Sequence, residues 1–176
     1  MATELPLAPA SPHLPTEPAA TASAQSGAVA PPADHDSAPA FKGPRTEDGP
    51  LWADGSIPPD DIIDRAQSNV TLKTDEPLTA LTVELLLAPT NELSSTSGRQ
   101  SLPAEDFTVS EREEGGMLVR RWTLKAGSTV PPGTHLFVGE YQHAAAGRDA
   151  KDDTYRATAK TVNGTFTVAG DFARTG

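Results

Sequence analysis

The sequence predicts an all-β domain, an antiparallel β-sandwich of about seven strands, behind a disordered N-terminal segment. Three observations lead there. From Ser68 onward, apolar side chains recur at every second position in short runs. Those runs are cut by glycine, proline and asparagine turns. Residues 1–60, by contrast, hold 12 of the 17 prolines and only two aromatics, Phe41 and Trp52. A period of two is the signature of a strand with one face buried, whereas a proline-rich stretch poor in large apolar groups has little to bury.

Residues 1–50 read as a Pro/Ala-rich acidic linker. Ordering each residue costs about 1–2 kcal/mol, and alternating Pro, Ala, Ser, Asp and Glu offer too little apolar surface to offset that. Regular prolines favour extended, semi-stiff conformations, so the segment suits a spacer. Residues 51–67 are transitional. Leu51, Trp52 and Ile57 are placed to pack on the domain edge, and Pro58-Pro59-Asp60-Asp61 before Ile62–Ala66 predicts a short helix, with prolines and acids in its first turn.

The domain proper spans 68–173. Asn69–Lys73 alternates Val70 and Leu72 with polar neighbours. Leu78–Leu87 is the strongest run, with Leu81, Val83, Leu85 and Leu87 on one face and Thr82, Glu84 and Leu86 on the other. Asp106–Glu111 turns Phe107 and Val109 inward. Met117–Lys125 follows Gly115-Gly116 and groups Leu118, Trp122 and Leu124, with Arg120 interrupting that face. Of the Arg120-Arg121 pair, one is expected outward and the other at an edge or in an ion pair. His135–Gln142 follows the Pro131-Pro132-Gly133 turn, and Thr154–Lys160 alternates Tyr155, Ala157 and Ala159 with polar residues. Thr165–Phe172 is entered through Asn163-Gly164, a strong hairpin signal. Seven short strands without helical crossovers fit an antiparallel two-layer fold, with a small barrel as the alternative.

Charge and composition narrow the function. Residues 1–64 carry ten acids against Lys42 and Arg45, while residues 65–176 carry fourteen acids against twelve bases. The acidity sits mainly in the first 64 residues, and a phosphate backbone would be repelled, so nucleic acid is not an expected partner. No apolar run is long enough to insert in a membrane, and Met1–Pro15 lacks the features of a signal peptide, so work outside the cytoplasm would call for an export signal upstream of Met1. With no cysteine, disulfides, thiolate metal sites and cysteine nucleophiles are excluded.

Few residues form a chemical pattern. Asp149, Asp152 and Asp153 place three carboxylates in one loop, a candidate calcium site, although Arg148 and Lys151 interleave and the spacing misses that of a calcium-loop motif. Otherwise no cofactor is expected. His135 and His143 fall on one face of a strand but about 26 Å apart at the strand rise, too far to share a metal, and are expected at the surface. No serine lies in a Gly-x-Ser-x-Gly elbow, and no glycine loop suits a phosphate, so no catalytic residue is assigned. Trp122, Tyr141 and Tyr155 are the aromatic candidates for ligand binding, because planar rings stack on sugars, although Trp122 also falls in the inward-facing set.

The stretch Ser68-Asn69-Val70-Thr71-Leu72 through Thr129-Val130-Pro131-Pro132-Gly133-Thr134 to Phe172 resembles extracytoplasmic β-domains of high-GC actinobacteria. These are often attached by Pro/Ala-rich linkers to membrane anchors. That resemblance covers about residues 50–173 and implies display outside the membrane on a spacer. Pro77–Val83 and Leu124–Val130 are also similar to a central strand and a Leu-x-x-Gly turn of bacterial cellulose-binding sandwiches. Leu81 stands where those modules carry a strand tryptophan. Together the resemblances imply an immunoglobulin-like or carbohydrate-module-like sandwich. The expected function is a non-enzymatic extracytoplasmic interaction or accessory module with a protein or polysaccharide partner. Carbohydrate binding and calcium-stabilised structure are the alternatives.

Overall fold

A computed structural model describes residues 45–59, 64–90, 92–145 and 150–174. The expected linker therefore lies outside the described residues up to position 44. Ten strands follow in order: β1 (Glu47–Asp48), β2 (Leu51–Ile57), β3 (Arg65–Thr74), β4 (Ala80–Leu87), β5 (Ser94–Gln100), β6 (Phe107–Glu114), β7 (Met117–Leu124), β8 (Gly133–Gln142), β9 (Thr154–Thr161) and β10 (Gly164–Arg174). Among the described residues the only helical element is a 3-10 turn at Ala104–Asp106.

The strands form one curled sheet folded into two layers. The front layer runs β10-β9-β4-β7-β6, and the back layer runs β5-β8-β3-β2, with β1 also on β2. Strand β10 joins the layers. Its residues from Gly164 to Asp171 pair antiparallel with β9, and Phe172 to Arg174 then pair with Gly55 to Ile57 of β2. That last pairing is parallel, while every other strand pair is antiparallel.

Alternation built this arrangement. Leu81, Val83, Leu85 and Leu87 of β4 face Val70 and Leu72 of β3 across a core in which all are at most 2% exposed. Trp122 meets Phe137 edge-on with ring centroids 5.7 Å apart, and Phe107 meets the same ring at 5.9 Å. Edge-to-face contact aligns the positive ring edge with the negative ring face, adding to the area buried.

Several expectations are corrected. Residues 51–57 form a strand rather than loose edge packing, with Leu51, Ala53, Gly55 and Ile57 buried in alternation. The short helix expected over 58–66 partly lies outside the described residues, at 60–63, while Arg65 and Ala66 already belong to β3. Val109 is 46% exposed because β6 is the last strand of its layer and buries only Phe107. Strand β5, Ser94–Gln100, has no apolar residue and is held as an edge by its backbone pairing to β8.

The paired arginines separate as their alternation requires. Arg121 points outward, where its Nε donates to Glu84 Oε1 at 2.6 Å, and Arg156 Nε donates to Glu84 Oε2 at 2.9 Å. Arg120 lies on the inward face opposite Leu85, with its guanidinium 5.9 Å from the Trp122 ring centre and Nη2 donating to Glu111 Oε2 at 2.8 Å. Gly98 of β5 makes room for this side chain, since a Cβ there would collide with the guanidinium.

Candidate functional site

The aromatic candidates lie in the core. Trp122, Tyr141 and Tyr155 are 0%, 1% and 1% exposed, so none presents a ring face for stacking. Tyr155 donates to the Ala53 carbonyl at 2.8 Å, and the Tyr141 hydroxyl lies 3.2 Å from Ser68 Oγ. The Trp122 indole N–H has no hydrogen-bond partner and is enclosed by the layers. Their shared alternation with leucine and alanine put these rings inside.

The loop aspartates are described only in part. Asp149 lies outside the described residues. Asp153 is fully buried and its Oδ1 accepts the Ala88 N–H at 2.8 Å, while Asp152 is exposed. Among the described residues no three His, Asp or Glu side chains gather as a metal site. His135 and His143 are only 7% and 8% exposed, not surface groups. Each ring lies 2.9 Å from a backbone carbonyl, of Pro131 and Ala144 respectively, which gives a buried imidazole its polar partner.

The outer faces of the two layers differ. Across the front layer, Thr167, Thr158, Thr82, Thr123 and Thr108 stand in register, one per strand from β10 to β6. The next row holds Arg156, Glu84 and Arg121, whose charges are satisfied against one another. The back layer instead exposes Trp52 and Leu136 on its outer face. Among the described residues the exposed large apolar groups are Trp52, Val109, Leu136 and Val162, and only Trp52 is aromatic.

Trp52 is 37% exposed on the outward side of β2, directly between Glu47 of β1 and Lys73 of β3. A surface cavity of about 340 Å³ opens beside it, lined also by Pro50 and Asp75. That volume lies at the lower end of small-ligand pockets. Lys73 Nζ stands 3.8 Å from Asp75 Oδ1, and both side chains are exposed.

The turn beneath Trp52 is fixed. Gly49 has φ +57° and lies so close to the Phe166 ring that a Cβ would collide with it. Asp48 accepts the Arg45 guanidinium at 2.8 Å through Oδ1 and the Thr167 N–H at 2.8 Å through Oδ2. The Asp75 N–H donates to the Pro50 carbonyl at 3.1 Å. With Leu51 and Ala53 buried on either side, the indole has one way to face. Its signal was present in the sequence: Trp52 shares a parity with Asp54 and Ser56, opposite Leu51, Ala53 and Ile57.

Leu136, also 37% exposed, lies on the same outer face two strands away, opposite Thr71 on β3. Strand spacing and rise put it roughly 12 Å from Trp52. Asp54, Thr71, Lys73 and Thr134 occupy the intervening positions by register. At the far edge, Glu140 is bound by Ser97 and Arg99. The Ser97 hydrogen bond, with Arg99 and Arg120 nearby, holds the Glu140 carboxyl below the usual carboxylate range despite opposing desolvation.

This architecture is that of an antiparallel-rich, immunoglobulin-like β-sandwich. The full-length major pilin SpaD from Corynebacterium diphtheriae is similar to it at TM-score 0.51 and 17% identity, over 70% of this chain and 34% of the pilin. The chain thus spans about a third of that pilin's length. A cohesin module of a Clostridium perfringens family 33 glycoside hydrolase is 9% identical over 70% of this chain and 98% of its own, with TM-score 0.43. A carbohydrate-binding module of cellobiohydrolase 9A from Clostridium thermocellum is 9% identical over 67% and 96%, also at TM-score 0.43. No protein-family model matches the chain, and no curated protein matches it. Among the described residues no helix is long and apolar enough to cross a membrane.

Proposed function

We propose that this domain is a non-enzymatic extracytoplasmic interaction or accessory module that binds through the outer face of β1, β2 and β3. The exposed Trp52 ring beside its cavity carries the reading. A rigid aromatic ring with satisfied polar neighbours gains contact area on binding at little conformational cost. The Glu47, Lys73 and Asp75 groups supply polar orientation around the ring. The sandwich that SpaD shares supports placement outside the cytoplasm, and the acidic, proline-rich composition of residues 1–44 supports a spacer that holds the domain away from its attachment.

Cell fractionation of the source organism tests the placement: the protein is expected with the envelope or the medium, and recovery in the cytosol alone contradicts it. Co-sedimentation with purified envelope fractions tests the face. The full chain is expected in the pellet and the Trp52→Ala variant in the supernatant. Equal partition of the two removes Trp52 from the account.

A further inference from the structure

We infer that the Trp52 face takes a neutral polysaccharide, bound as an extended oligosaccharide lying from Trp52 across β3 toward Leu136. This rests on the reading of that face as the binding surface and adds the class of ligand. The two exposed apolar side chains of the outer back face, Trp52 and Leu136, stand at opposite ends of one polar strip. An indole offers a flat apolar plate to the C–H face of a pyranose, while the hydroxyls around the ring seek both donors and acceptors. The strip supplies both kinds. Asp54 accepts, the Lys73 ammonium donates, the Thr71 and Thr134 hydroxyls do either, and Glu47 and Asp75 flank the Trp52 end with further acceptors.

Charge decides among ligand classes. Three carboxylates against one ammonium repel an anionic glycan or a phosphate polymer. A cationic ligand would have to displace Lys73, which is the direct cross-strand neighbour of Trp52 and already lies by Asp75. At the Leu136 end the nearest charges, Arg99 and Glu140, already pair with each other and leave no free carboxylate for it. A neutral ligand meets neither obstacle. Length follows from the separation of the two apolar ends, which exceeds one pyranose ring. A single sugar on Trp52 would leave Leu136 uncovered.

Titration of the full chain with cellohexaose, xylohexaose, chitohexaose and maltohexaose, alongside retention on the matching insoluble polysaccharides, tests this. At least one neutral series is expected to bind. Trp52→Ala is expected to weaken it tenfold or more, and Trp52→Phe to recover part of the loss. Leu136→Ala is expected to weaken the hexasaccharide several-fold while leaving the disaccharide of the same series unchanged. An unchanged melting midpoint shows that each variant remains folded. Silence across the four series overturns the inference, as does equal binding by Trp52→Ala or tighter binding of polygalacturonate or polylysine. If the neutral series are silent while envelope co-sedimentation still depends on Trp52, the ligand class is wrong and the binding face stands. If neither depends on Trp52, both fall.

Discussion

The Tyr155 hydroxyl donates to the Ala53 carbonyl at 2.8 Å, tying β9 of the front layer to β2 of the back layer. The ring that makes this bond is 1% exposed and stands edge-on to Phe172, with centroids 5.7 Å apart. Gly55 and Gly170 leave the space for it: a Cβ on either would come within 3 Å of the ring or its hydroxyl. Through Ala53 the bond also steadies the strand that carries Trp52. Fold and candidate site thus share one anchor.

Tyr155→Phe keeps the ring and removes the donor, so chemical denaturation is expected to show a loss of about 1 kcal/mol. Burial first, then the Asp54 and Asp171 carboxylates, pushes the Tyr155 phenol above its ordinary range. The unfolded phenol releases its proton near pH 10, as an ordinary tyrosine does, while the folded one retains it. The stability linked to this group is therefore complete below about pH 10 and falls as pH rises beyond it. Denaturation curves from pH 8 to 11 should show the wild-type chain losing stability faster than Tyr155→Phe above about pH 10. Parallel curves would contradict that linkage.

The glycines around the core rank by what a methyl would strike. At Gly55 it would lie 2.5 Å from the Asp171 carbonyl oxygen, so β2 and β10 must move apart. At Gly98 it would strike the end of the flexible Arg120 side chain. Gly55→Ala is expected to cost about 3 kcal/mol and Gly98→Ala about 1 kcal/mol or less by urea denaturation. A reversed order would mean that Arg120 is held more rigidly than the β2–β10 junction.

Glu84 is the hub of the front face. Its side chain is 9% exposed, and the two arginines it accepts are 22% and 29% exposed. Glu84→Ala leaves both guanidiniums without that partner on a half-dry surface and is expected to cost about 2 kcal/mol. Double-mutant cycles with Arg121→Ala and Arg156→Ala should each return a coupling energy of the same sign. A cost near zero would place the triad among solvent-screened surface pairs.

Calcium stabilisation remains the proposal attached to Asp149, Asp152 and Asp153. The bond from Ala88 N–H to buried Asp153 fixes one of the three independently of any ion. Thermal melts in millimolar calcium and in chelator separate the two roles. Calcium binding raises the midpoint in the first condition, and an unchanged midpoint assigns Asp153 to tethering the loop after β4.

The fold was legible wherever alternation was carried by large side chains. Leu81, Val83, Leu85 and Leu87 declared β4 and its buried face, and the same reasoning located β3 and β6 to β10. Strand β5 was invisible because an all-polar edge is specified by the backbone groups of β8, which no residue pattern reports. Strand β2 was obscured by small inward residues, Ala53 and Gly55, between flanking prolines. The exposed ring of Trp52 was less legible for a related reason. Strong alternation buries a ring, and the exposed ring stands on a strand whose inward side is small.

The two tryptophans provide the most direct test of the binding face. Trp52 and Trp122 are the only tryptophans in the chain, one exposed and one enclosed. Each contributes one indole N–H signal to a heteronuclear NMR spectrum, assignable with Trp52→Phe. In a titration with the hexasaccharide that binds most tightly, the Trp52 indole signal is expected to shift together with the amides of Glu47, Lys73 and Asp75, while that of Trp122 stays in place. Shifts gathered on Thr82, Thr123 and Thr158 of the front layer, with the Trp52 signal unmoved, would contradict the account.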